Sequence, residues 1–298
     1  GLKVITERYM KRILIISDGK PGHLNQSIAF CKIKNISYDI LEVKFKLKFL
    51  KLLTYALDKF ERYSDELYKE YKKYNFEFYD AIVSTGSSTY YFNKFISKKY
   101  NKKSIALMLP KSYNYADFDY IIAQEHDNPP KLENIISLPL NLSYTKAKGL
   151  IKSNEKSIGI IIGGDNSIFK MDVENIRNVL NLISKNYDGY LKYITTSRRT
   201  SKQVEDLISE YDFDYKLIYS DTPTINPIPD FIKLCDKLFI TIDSTSMLSE
   251  ARANTNAEIS IINLRSNKVD TKFHNLANIV DNIHNKLDFK KVLEKVVI

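Results

Sequence analysis

Short apolar runs recur along the chain with longer amphipathic stretches between them, and this alternation restricts the fold more than any other feature. The runs cover residues 13–17, 38–43, 81–84, 104–109, 120–123 and 135–138, then 157–162, 190–195, 216–219, 237–242 and 258–264. They are rich in isoleucine and lack in-out alternation, the pattern of parallel strands covered on both faces. Helical periodicity fills the intervals at 26–32, 45–74, 90–99, 173–185, 201–211, 229–234, 246–254 and 289–297. The βαβα order predicts an α/β protein with right-handed crossovers. The two series read as two Rossmann-like domains, 10–148 and 149–298, joined through a polar stretch near 141–155. Ligands of such folds bind at the C-terminal ends of strands, so a cleft between two such domains would be lined by strand ends from both.

Composition narrows the partners. A net charge of +9 favours anionic ligands or an anionic membrane surface. Nucleic acid is not among the partners expected. Cys31 and Cys235 lie far apart among apolar neighbours, against a disulfide framework or zinc site and in favour of a reducing cytosol. No apolar run is long enough to span a bilayer and nothing resembles a secretory signal. The first nine residues, GLKVITERY, read as vector-derived or extraneous. The basic, aromatic stretch 46–57 reads first as a helix facing the core with a solvated lysine face. The alternative is a helix resting on an anionic leaflet, where it would collect a lipid-linked acceptor.

The strand ends carry more polar equipment than turning requires. After 13–16 comes SDGKPGHLNQS, in which Gly19 and Gly22 permit close approach, Pro21 stiffens the turn, and Asn25 or Ser27 could cap the next helix. Lys20 and Gln26 share this loop, and Asp18 and His23 are its two candidate proton acceptors. A second end reads STGSST, with Gly86 and Ser87 placed to hold a sugar or phosphate. In the later half, IIIGGDN runs into Gly163 and Gly164, and YITTSRRT ends in Ser197, Arg198 and Arg199. Arginine forks pair bidentately with phosphate. ITIDSTSMLSEA offers Ser244, Thr245 and Ser246 at a helix start, with Glu250 about one turn on and able to accept ribose hydroxyls. Several hydroxyl-rich ends in one domain point to a phosphate-bearing ligand.

Other signals are weaker. Asp117/Asp119 and Asp212/Asp214 match a DxD pattern but read as solvated turn residues, and His126 sits at another strand end where it could line the cleft. His274 and His284 carry no metal-ligand spacing. Neither a metal nor a cofactor is expected.

SDGKPGHLNQS, IIGGDNS, ITTSRRT, NPIPDFI and IDSTSMLSEA, in that order over residues 10 to about 264, resemble the mitochondrial fission "elongated mitochondria" family. Its bacterial members look like glycosyltransferases of lipopolysaccharide outer-core and similar loci. The resemblance implies a GT-B fold, two Rossmann-like domains facing each other across a cleft. The acceptor would bind mainly the first and a nucleotide-sugar donor, diphosphate-linked or a CMP-linked acid, mainly the second. It also implies metal-independent transfer to a glycan or glycolipid, a cytoplasmic site peripheral to the inner face of the cytoplasmic membrane, and a C-terminal helix crossing back to the first domain. Carried onto this chain, Gly163 and Gly164 would admit the donor to the backbone. Ser197, Arg198 and Arg199 would bind phosphate or base, Ser244 to Ser246 the phosphates, and Glu250 the ribose. Asp18 or His23 would deprotonate the acceptor if the anomeric centre inverts. One departure is the first-domain loop, STGSST, where an SAGRRT-like sequence would supply arginines. A non-catalytic recruitment protein and a nucleotide-sugar epimerase are the alternatives the same fold allows.

Overall fold

The computed structural model describes residues 10–298, and the nine residues read as extraneous lie outside these. Two compact units are present: one ends at Tyr144 and takes back the last segment, Asp288–Ile298, and the other is Thr145–Leu287. The division thus falls a few residues before the boundary set at 148/149.

In chain order the first unit contains β1 (Arg12–Ser17), α1 (Pro21–Lys34), β2 (Ser37–Glu42), α2 (Leu50–Lys59), β3 (Ala81–Thr85), α3 (Tyr90–Tyr100), β4 (Lys103–Leu107), β5 (Tyr120–Gln124) and β6 (Ile135–Leu138). The second contains β7 (Ser157–Ile161), α4 (Val173–Asn186), β8 (Leu191–Thr195), α5 (Lys202–Ser209), β9 (Tyr215–Leu217), α6 (Ile228–Leu234), β10 (Lys237–Thr241), α7 (Thr245–Asn254), β11 (Glu258–Ile262) and α8 (Lys272–Asp281). The chain closes with α9 (Phe289–Leu293).

Both sheets are wholly parallel, in the orders β2-β1-β3-β4-β5-β6 and β11-β10-β7-β8-β9. The α/β class and its two Rossmann-like units are therefore observed. Burial on both faces explains the unbroken apolar runs: Ile13 to Ile16 and Ile158, Ile160 and Ile161 are all at most 1% exposed. Each unit has its own core, one around Ile16, Ile82 and Tyr91 and the other around Ile160, Ile194 and Val204. In the first unit the last segment is tied to α1, where Lys34 Nζ donates to the carbonyls of Leu293 (2.8 Å) and Val296 (2.7 Å).

An aspartate immediately before a strand recurs as a clamp on its neighbour. Asp80 Oδ2 accepts the N–H of Arg12 at 2.8 Å while its own N–H donates to the Arg12 carbonyl. Asp119 does the same for Ser104, Asp214 for Lys192 and Asp236 for Ser157. Each carboxylate satisfies a backbone donor where the ladder begins and pins the pairing register. This corrects the reading of the DxD pairs as solvated turns. Asp119 and Asp214 are clamps, and Asp117 is ion-paired with Lys94 (3.2 Å) and Lys98 (3.4 Å).

The helix expected at 45–74 is also corrected, because only Leu50–Lys59 is α-helical. Glu61 adopts φ +55, which turns the chain out of the helix. Beyond it, tyrosines spaced like a helical stripe wrap over α3. Tyr63 stacks on Tyr91, and Tyr68 and Tyr71 meet Phe92 edge-on. The Tyr63 and Tyr71 hydroxyls are held by local acceptors, Asp58 and Asp65, while that of Tyr68 is buried with no partner among the described residues. Helix α8 is an addition to the helices read from periodicity.

Replacing Asp80 by alanine is expected to lower the unfolding free energy by about 1–2 kcal/mol in denaturant titration, with asparagine less costly. Wild-type stability in Asp80→Ala would show that the clamp contributes nothing.

Candidate functional site

Each sheet reverses its direction of strand addition once, between β1 and β3 and between β7 and β10. The crevice outside the carboxyl ends at such a point is where open α/β sheets take ligands. The residues singled out from sequence lie in the loops and helix starts that follow β1, β3 and β5 in the first unit and β7, β8 and β10 in the second.

In the first unit Pro21 is the first residue of α1, so the helix starts five residues earlier than its periodicity indicated and His23 lies in its first turn. Neither Asn25 nor Ser27 caps it. The capping position is Lys20, whose side chain makes no capping bond, and the first turn has no acidic residue. The first N–H groups of α1 thus keep their positive end for an anion or water. Asp18 Oδ1 accepts the Lys20 N–H at 3.0 Å, and Asp18 Oδ2 lies 2.7 Å from His23 Nδ1. The Asp18 side chain is 6% exposed, that of His23 26%. A carboxylate at Nδ1 favours the tautomer protonated there and leaves Nε2, on the other side of the ring, as the proton acceptor. Of the two candidate bases, Asp18 has both carboxylate oxygens engaged, whereas His23 is engaged through Nδ1.

Gly86 permits this contact. It has φ +107, and a Cβ there would strike the His23 ring and lie 2.8 Å from Asp18 Oδ2. Gly19, at φ +81, would bring a Cβ to 2.8 Å from Glu42 Oε1, whereas Gly22 faces open space. Gln26, one turn after His23, is buried, with its Oε1 unpartnered among the described residues. Ser87 is exposed and accepts a bond from Lys51 Nζ at 3.2 Å. Lys20 is exposed. His126 is also exposed, on a single 3₁₀ turn, 3.8 Å from its neighbour Asp127.

In the second unit the tips of β7, β8 and β10 converge on Asp243, which the motif reading passed over. Its side chain is fully buried. Oδ2 accepts from Arg199 Nη1 (2.7 Å), the Gly164 N–H (3.0 Å) and the Ser244 hydroxyl (3.3 Å). Oδ1 has no hydrogen-bond partner among the described residues. A buried carboxylate oxygen left unpaired costs free energy that a donor on a ligand would recover. The available signal was an acidic residue directly after a buried apolar strand, in a position where capping does not require it.

Gly163 and Gly164 serve the protein's own packing. A Cβ on Gly163 would collide with the Asp243 carboxylate and Ser244 Oγ, and one on Gly164 with the Arg199 carbonyl. Thr200 closes the turn, its hydroxyl donating to the Gly163 carbonyl at 2.6 Å and accepting the Ser197 N–H at 2.9 Å. Arg199 is committed to Asp243 through one nitrogen, and Arg198 is exposed. At the start of α7, Ser244 makes no capping bond and no acid occupies the first turn. Thr245 is half-buried, Ser246 exposed, and Glu250 follows Ser246 by four residues on the same helix face. Glu250 Oε1 accepts from the Thr145 hydroxyl at 2.9 Å. Burial pushes its carboxyl above the ordinary value, against the pull of that hydroxyl and of Lys148. Among the described residues no three His, Cys, Asp or Glu side chains gather as a metal-binding group. No described helix is long and apolar enough to cross a membrane.

The family described as Mitochondrial fission ELM1 matches residues 21–291. The chain belongs to this family. No curated protein sequence matches it. Among solved structures it is similar to the UDP-GlcNAc 2-epimerase of Neisseria meningitidis bound to UDP-GlcNAc, with 12% identity, 94% of this chain and 95% of that one covered, and a TM-score of 0.45. It is also similar to Acinetobacter baumannii MurG, at 10% identity, 96% and 92% coverage and a TM-score of 0.38. The third is the Escherichia coli ADP-heptose LPS heptosyltransferase II, at 9% identity, 85% and 84% coverage and a TM-score of 0.40.

Because the Glu250 carboxyl is raised on folding, the stability tied to its neutral form is complete below the ordinary value of 4.5 and is lost as pH rises through the folded-state value. Glu250→Gln is therefore expected to melt above the wild type at neutral pH, with the gap closing as the medium is acidified. Melting curves from about pH 4 to pH 8 check this, and a gap that does not change with pH contradicts it.

Proposed function

We propose that this chain is a GT-B glycosyltransferase that moves a sugar from a nucleotide-activated donor to a hydroxyl of a glycan or glycolipid such as lipopolysaccharide, without a metal. The observation that carries this reading is the Asp18–His23 pair at 2.7 Å on an uncapped helix start. A scaffold has no use for a buried carboxylate that orients an imidazole with its second nitrogen free.

In this reading His23 Nε2 removes the acceptor proton as the acceptor oxygen bonds to the anomeric carbon. The bond from that carbon to the donor phosphate breaks, and the nucleotide leaves with the electron pair. Such a base supports inversion at the anomeric centre. Asp18 keeps the ring oriented and stabilises the imidazolium that forms. Gly19, Lys20, Gly22, Gln26, Gly86 and Ser87 would frame the acceptor, with His126 at the margin.

The donor would belong to the second unit. The open N–H groups of α7, with the hydroxyls of Ser244, Thr245 and Ser246, suit phosphate oxygens. Arg198, Ser197 and the free edge of Arg199 add donors, and Asp243 holds Arg199 in position. Charge developing on the leaving phosphate would meet a helix N-terminus and guanidinium groups already in place, which is how such sites lower a barrier. Glu250 suits a ribose hydroxyl. A cytoplasmic location at the inner membrane face fits a lipid-linked acceptor.

The test is a thermal-shift series with CMP, UDP, GDP and dTDP, since a specific ligand stabilises the fold in proportion to occupancy. One nucleotide is expected to raise the melting temperature, and Arg199→Ala to abolish the rise. His23→Ala is expected to keep that rise while slowing transfer roughly 10²- to 10⁴-fold. No response to any nucleotide would favour the recruitment protein. Interconversion of free UDP-sugars without an acceptor would favour the epimerase.

A further inference from the structure

Helix α2 is built inside out. Its inward residues are polar: Thr54 is 0% exposed and Asp58 1%. The Thr54 and Tyr113 hydroxyls hydrogen-bond at 2.7 Å, and Asp58 accepts from Lys94 Nζ at 2.8 Å and the Asn114 N–H at 2.7 Å. Tyr55 packs edge-on against Tyr113, and Lys51 reaches Ser87. These residues, 51, 54, 55 and 58, form one helical stripe. The opposite stripe is apolar and faces outward. Phe49 is 63% exposed, Leu52 66% and Phe60 71%, with Leu53 and Ala56 between them and Leu47 just before the helix. An exposed apolar stripe anchored from behind by a satisfied polar network marks an interaction surface.

The charge around it is mostly basic, with Glu42, paired to Lys44 at 3.6 Å, and Glu61, just past the helix, as the bordering exposed acids. Lys44, Lys46, Lys48 and Lys59 are exposed, and the one acid from 44 to 60, Asp58, is turned inward and paired. A helix with an apolar face bordered by lysines suits the headgroup layer of an anionic leaflet, where rings and leucines enter the acyl boundary and ammonium groups meet phosphate.

We propose that the outward face of α2 rests on an anionic phospholipid bilayer. The inference deepens the transferase reading. Lys51 ties α2 to Ser87, and the adjacent Gly86 abuts the Asp18–His23 pair. A bilayer under α2 therefore presents a lipid-linked acceptor to the loop beside the base. Docking itself does not require that the chemistry be right.

Co-sedimentation with vesicles tests it, using the full chain and vesicles of phosphatidylcholine alone or with about 30% phosphatidylglycerol. The wild type is expected to pellet with the anionic vesicles and to stay in solution with the neutral ones. Leu52→Ser with Phe60→Ser, and separately Lys46→Glu with Lys48→Glu, should each weaken binding about tenfold or more while leaving melting temperature unchanged. Absence of wild-type binding to the anionic vesicles, or equal binding by the variants, overturns the proposal. So does a wild-type dimer that Leu52→Ser with Phe60→Ser converts to monomer, since a second copy would then cover the face. Nucleotide thermal shifts on the same proteins separate the two readings. Vesicle binding without any nucleotide response leaves docking in place and removes the transferase, and the reverse removes docking alone.

Discussion

At the start of a parallel strand the first N–H groups lack a full set of neighbouring carbonyls, and in four places an aspartate ahead of the adjacent strand supplies the acceptor. Asp80, Asp119, Asp214 and Asp236 each bond twice with one residue of the neighbour, once through the side chain and once through the backbone. A one-residue slip would break both bonds and turn buried isoleucines toward the wrong face. With register set at the N-terminal ends, the tips at the other end fall where chemistry can be assembled.

The two units use one local device at those tips. In each, a carboxylate just past a buried strand is pressed against glycine and pairs with a basic group from a neighbouring segment. Asp18 with His23 beside Gly86 is one case, and Asp243 with Arg199 beside Gly163 and Gly164 is the other. A Cβ at these glycines would occupy the space of the carboxylate or its partner. They therefore build the pairs first, and any access for a ligand follows. The consequences differ with the base. Imidazole keeps a second nitrogen that can take a proton, while guanidinium remains a fixed positive fork.

Helix α2 shows the opposite arrangement from a core helix. Burying Lys94 with Asp58 and Asp117 is expensive unless every group finds a partner, and here they do, through the Asn114 carbonyl and the Tyr63 hydroxyl as well. That network holds the helix by its polar side. The periodic apolar stripe that suggested a core-facing helix is real, but it faces solvent.

What the sequence determined is the fold class and which polar residues fall at its strand tips. Isoleucine runs without in-out alternation can be buried only in parallel sheets covered on both faces, and polar residues massed after such runs must lie at strand tips. The alternation, the two series and the residues around Asp18, Gly86, Gly163, Arg199 and Ser244 were legible for that reason. Tertiary structure decided which groups meet. Periodicity says that residues 45–74 have apolar side chains at helical spacing, but not that the hydroxyls of Tyr63 and Tyr71 would find acceptors in an irregular wrap beyond Glu61. Nor does it say which side of α2 is buried, because an inward face can be polar when a distant Lys94 satisfies it. The Asp18–His23 pair is local, but the Gly86 that leaves room for it, and the Arg199 that meets Asp243, come from segments far away in the chain. Local spacing carries no information about those contacts.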